Sequence, residues 1–221
     1  TRYQNGVAIG LQYRALVLVD LERLSDARES AGEALMLSER LQRHDDELAV
    51  RITLVRIALR EHRLDEMERE LVRLEELLGR YDLEGFGPLV RAWRGRLLAE
   101  RGAPPAEVLA AVELAYANVG RPWPHQRIRL DLIAAWALGA SGLLFEANQH
   151  AKEALREAET CGFRFYALKA HCLLARFSDE DASVSIHGRV SRALARTLSA
   201  NLGREDGKRL MAVCATIAHG P

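Results

Sequence analysis

The chain has 221 residues, 48% of them apolar, and its 31 lysines and arginines balance its 31 aspartates and glutamates. A neutral total excludes a basic tail for nucleic acid, so charge-driven binding must come from a local patch. No apolar run approaches the roughly 20 residues of a membrane span, and no signal-peptide pattern opens the chain. Cys161, Cys172 and Cys214 show no CxxC spacing and read as reduced thiols of a cytoplasmic protein. The start at Thr1 rather than Met reads as a piece of a longer protein, with an earlier repeat ahead of it.

Apolar residues recur at helical rather than alternating spacing almost throughout. The first helix is expected over residues 3–21, with Ala8, Leu11, Ala15 and Leu18 on one stripe. The second carries Leu24, Ala27, Ala31, Ala34 and Leu35, with Ser25-Asp26 near its start. His44-Asp45-Asp46 is expected to end it and to cap the next helix.

That next helix, over 46–61, holds Leu48, Ile52, Val55 and Ala58, and its partner over 64–80 holds Met67, Leu71, Leu74 and Leu78. Three glycines and a proline between Gly79 and Pro88 predict a break. Leu89, Trp93, Gly95 and Leu98 form another helix, ending near Gly102. Pro104-Pro105 opens a helix through Asn118, where proline suits a first turn whose amides lack partners. In that helix Val108, Val112 and Ala115 fit the packing pattern as well as Glu107, Ala111 and Leu114.

Gly120-Arg121-Pro122-Trp123-Pro124 breaks the chain again. The following hairpin carries Ile128, Ala135 and Leu138, then Leu144, Ala147, Ala151 and Ala154. A helix over 164–177 follows. Ser178-Asp179-Glu180-Asp181 then delays its partner to 185–202, and a last helix is expected over 204–218.

Small residues return at fixed offsets. Ala15, Gly95 and Ala135 stand at one, and Leu24-Ala27-Ala31-Ala34 recurs as Leu144-Ala147-Ala151-Ala154. Each step is a multiple of 40 residues, and an internal period in that range marks stacked helical hairpins. Repeats are read at about 8–47, 48–87, 88–127 and 128–163, with a degraded repeat and C-terminal cap over 164–221. All belong to one domain.

These offsets resemble the tetratricopeptide repeat, whose usual length is about 34 residues. The likeness covers about residues 8–161. It departs from the usual motif at Leu11, where a tryptophan is common, and at Glu39, where a proline is. The longer period and the Arg-, Ala- and Leu-rich texture are similar to the superhelical repeats of bacterial maltose-activator-type regulators and related ATPases and kinases. The resemblance implies an all-α, right-handed superhelical solenoid of antiparallel helix hairpins. It also implies a protein-interaction scaffold, the repeat arm of a cytoplasmic signalling or transcription regulator. The alternative is a sensing domain that binds a small effector or peptide in its concave groove.

No catalytic motif is present, and neither enzymatic activity nor a cofactor is expected. The seven histidines form no HExxH or other ligand spacing, Asp179-Glu180-Asp181 lacks a calcium-loop pattern, and Gly85-Phe86-Gly87 lacks the lysine of a phosphate loop.

The candidate binding residues come from the repeat register. In a tetratricopeptide solenoid the first helices line the groove, and one equivalent position reads Leu16, Arg56, Arg96, Trp136, Arg176. A second reads Ile9, Ala49, Leu89, Arg129, Lys169. Arg56, Arg96, Arg129, Trp136 and Arg176 are therefore expected to line a surface for an acidic protein or peptide. Arginine can grip a carboxylate with two parallel bonds, and tryptophan offers a flat apolar contact. The plain alternative is that these arginines pair with Glu100 and other neighbouring carboxylates. No direct nucleic-acid or membrane binding is expected.

Overall fold

Helical spacing of alanine, leucine and valine yields eleven helices in the computed structural model, which describes residues 2–81, 83, 85–117, 123–178 and 181–219. They are α1 (Arg2–Asp20), α2 (Leu24–Arg40), α3 (His44–Arg60), α4 (Leu64–Arg80), α5 (Gly87–Glu100), α6 (Pro105–Tyr116), α7 (Pro124–Ala140), α8 (Leu144–Thr160), α9 (Arg164–Phe177), α10 (Asp181–Ser199) and α11 (Arg204–His219). No strand occurs among the described residues, so the protein is all-α. No described helix is long and apolar enough to cross a membrane.

Six helices, α1, α2, α3, α5, α7 and α8, end by one recurring device. Glu22, Gln42, His62, Gly102, Gly142 and Gly162 all take positive φ, between 53° and 82°. At each, two backbone bonds close the turn. Arg23 N–H donates to the Leu18 carbonyl at 2.9 Å and Glu22 N–H to Val19 at 3.2 Å, and Phe163 repeats the pattern to Ala158 at 2.8 Å with Gly162 to Glu159 at 3.1 Å. This is the Schellman arrangement, which satisfies carbonyls that a helix end would otherwise orphan. It recurs at spacings of 20 or 40 residues along the chain.

The chain forms two compact units, Thr1–Val90 and Arg91–Pro221, and the boundary falls inside α5. In the first unit α1 packs on α2, α2 on α3, α3 on α4, and α1 also on α3. Its core joins Ala15, Leu18 and Val19 of α1 to Ala27, Ala31 and Ala34 of α2 and to Val50, Leu54 and Ile57 of α3. Alanine at these contacts lets the helix axes approach closely.

In the second unit α7 packs on α6, α8 and α9, and α9 packs on α8, α10 and α11. Gly95 sits where α5 meets α6, since a Cβ there would stand 3.4 Å from Val112 Cγ2 and 3.5 Å from Ala111 Cβ. Ala135, Ala151 and Ala154 are buried at the α7–α8 hairpin.

Three local expectations need correction. His44-Asp45-Asp46 lies inside the first turn of α3, after an Arg43 N-cap that makes no side-chain capping bond. The acids still favour that end electrostatically, and His44 stacks on Tyr81 instead of capping. Gly79 belongs to α4, so the break before α5 is shorter than its glycines suggest. The partner of α9 starts at Asp181, not 185. In α6 the packing face is Val108, Val112 and Ala115, which are buried, whereas Leu114 is exposed. The breaks expected at 120–122 and 179–180 lie outside the described residues.

Candidate interaction site

Three first helices of the 40-residue register meet in the second unit. α5 supplies Arg96, α7 supplies Trp136, and α9 supplies Arg176 and Phe177. The Arg96 guanidinium carbon lies 4.6 Å from the Trp136 ring centroid and that of Arg176 lies 4.4 Å from it. Two cations thus share one indole. Each such contact contributes about 0.5–2 kcal/mol, depending on desolvation.

The surroundings hold this arrangement in place. Arg96 is buried and ion-paired to Glu100 one turn later on the same helix. Phe177 meets Trp136 edge-on at 5.6 Å, and the Arg176 guanidinium also lies 5.4 Å from the Phe177 ring. Gly139, one turn after Trp136, makes room for that phenyl ring, because a Cβ there would lie 2.7 Å from its carbons. Buried Asn148 of α8 donates to the Phe177 carbonyl at 2.8 Å and fixes the end of α9. Burial lowers the Arg176 pKa from the ordinary arginine value, with Glu100 opposing. Among the described residues Arg176 makes no hydrogen bond or ion pair, so its planar donors can receive a carboxylate.

Arg56 and Arg129 make other contacts. Arg56 belongs to the first unit, where it bridges α3 to α1 by an ion pair with Asp20 at 2.6 Å. Arg129, at the start of α7, is half-buried and lies near His125, whose pKa falls through burial and through this guanidinium. Lys169, of the same register position, lies with its Nζ 4.5 Å from the Phe165 ring. The participation of Phe177, Gly139 and Asn148 was not foreseen. Gly139 three residues after Trp136 is the one sequence signal that points to it.

Other arginines build structure. Arg51 is buried against Glu47, Glu39 and Glu70 at 2.8–3.0 Å. Arg28 of α2 reaches Glu61 and Glu66. In the second unit buried Asp131 accepts from Tyr116 at 2.5 Å and Arg127 at 3.0 Å, with His150 Nδ1 also at 3.0 Å. Burial, then Asp131, pushes the Tyr116 hydroxyl pKa far up. No group of three or more His, Cys, Asp or Glu residues able to hold a metal occurs among the described residues. No protein family, curated protein or solved structure matches the chain.

Proposed function

We propose that the chain is a tetratricopeptide-like, right-handed solenoid that serves as a protein-interaction scaffold. In this reading it is the repeat arm of a cytoplasmic signalling or transcription regulator, and Arg96, Trp136 and Arg176 receive an acidic segment of its partner. The observation that carries the reading is the pair of guanidiniums on Trp136, drawn from three helices at equivalent repeat positions. Arg96 is already engaged with Glu100 and orients the indole. Arg176 supplies the bidentate contact, and Trp136 the flat apolar one.

The test is a titration with short glutamate-rich peptides, followed at the Trp136 indole N–H resonance, assigned through Trp136→Phe. The peptide should shift that resonance, and Arg176→Ala should weaken binding by roughly tenfold, the effect expected of one charge-assisted bond. Binding should weaken further as salt rises. Equal affinity for the wild type and Arg176→Ala would overturn the assignment.

A further inference from the structure

Over residues 3–20 of α1 the exposed positions fall on one face: Tyr3, Gly6, Val7, Gly10, Tyr13, Arg14 and Val17. Successive residues turn by about 100°, so positions three and four apart stay in line. Only Arg14 in that set carries charge. An exposed helix face is normally polar, and two interior glycines each cost about 1 kcal/mol relative to alanine. Tyr13 is 62% exposed and Val17 56%.

The same positions are buried in the later first helices. Forty residues on from Gly10, Tyr13 and Val17 stand Val50, Thr53 and Ile57 of α3, each 0% exposed. In α7 they are Leu130, Ile133 and Ala137, and in α9 Ala170, Leu173 and Phe177, all buried. What covers them is visible in α3: Val50, Leu54 and Ile57 pack on Ala27, Ala31 and Ala34 of α2. In α9 the preceding hairpin, α7 and α8, takes that place. The open face of α1 is therefore the continuation of an interface that the chain already makes within each unit.

We propose that this face is the seat of one further helical hairpin of the chain's own repeat, whose second helix presents alanines as α2 presents them to α3. Gly6 and Gly10, with no atom within 4 Å of where a Cβ would stand, leave room for close approach. The proposal goes beyond the acidic-partner reading and uses none of its residues.

The experiment replaces residues 1–3 with a second copy of residues 124–163, joining Phe163 directly to Gln4 and leaving the rest of the chain and of the α1 face intact. Arg164 and Gln4 occupy the same place in the period, so the appended α8 meets α1 as α8 meets α9. Hydrogen exchange of the α1 amides should slow by about tenfold or more, because docking suppresses local opening, and the melting midpoint should rise. A matched extension carrying Ala151→Asp in the appended copy should show neither change. Equal α1 exchange in the two extended chains overturns the proposal.

Val17→Asp in the unextended chain is a second arm that needs no extension to fold. It should leave melting unchanged, because the side chain stands in solvent. Marked destabilisation would overturn the proposal, and so would a concentration-dependent dimer that Val17→Asp dissolves, since a second copy would then be the occupant.

Discussion

In the first unit the turns that end α1, α2 and α3 put Glu22, Gln42 and His62 in the left-handed region, and in the second the turns that end α5, α7 and α8 put Gly102, Gly142 and Gly162 there. The backbone bonds that close the turns are the same in both. The first unit holds residues with side chains in a conformation that costs them roughly 1–2 kcal/mol. It follows each turn with an arginine clamped to an acid three residues on: Arg23 to Asp26, Arg43 to Asp46 and Arg63 to Glu66. The second unit has glycine and then an apolar residue, Ala103, Leu143 or Phe163. The turn is thus set by helix packing and backbone pairing, and glycine only relieves its cost. The interiors differ in the same sense. The first unit buries Arg51 among carboxylates, and the second stacks its cations on Trp136.

The largest effect that would sharpen this contrast is expected at Arg51. Arg51→Ala strands buried Glu47 and should destabilise the first unit by about 3–5 kcal/mol, read by denaturant unfolding. Pairing Arg51→Met with Glu47→Leu should recover most of that loss, because no buried charge is then left alone.

In the second unit the corresponding weakness is steric. Gly139→Ala drives a methyl into the Phe177 ring, and Ala135→Leu overfills the α7–α8 contact, each at a cost of about 1–3 kcal/mol. Gly139→Ala should also move the Trp136 indole resonance, whereas Ala135→Leu tests the helix register alone. An unchanged melting midpoint for both would break the packing account.

Acid should act next, and through α9. His171 has its pKa lowered to about 4 by burial and by His187, whose Nδ1 lies 2.8 Å from its own. Glu159 also faces it, at 3.9 Å, and Lys152 acts on His187. The unfolded imidazole titrates near about 6.5, so between these values the unfolded chain binds more protons. The contribution is present in full above the unfolded value and is lost as pH falls toward 4. Protection of α9 amides should fall across that window, and His171→Leu should flatten the fall. An equally steep profile in the variant would assign the acid sensitivity elsewhere.

The smallest effects are expected from exchanging the turns themselves. Gly142→Ala and Gly162→Ala should each cost about 1 kcal/mol, while Gln42→Gly and His62→Gly should be neutral or stabilising by less than about 1 kcal/mol, as relieved strain offsets added unfolded-state freedom. Similar losses in both units would show that the first unit's turn residues make contacts beyond their backbone role.

The sequence alone located the helices closely, from Leu64–Arg80 and Arg164–Phe177 to the burial of Ala15, Ala31, Ala135 and Ala151. Helical periodicity and small-residue offsets are local signals, repeated often enough to fix a register. That register also placed Arg96, Trp136 and Arg176 at one equivalent position, and the three do meet. The left-handed turns at Glu22, Gln42 and His62 were not legible, because such residues adopt that conformation only when packing on both sides imposes it. Nor was it legible which arginines are engaged. Arg56 takes Asp20 from another helix and Arg96 takes Glu100 from its own. A long, flexible cation has several carboxylates within reach along the sequence, and only the packed helices decide which one stands close enough to hold it.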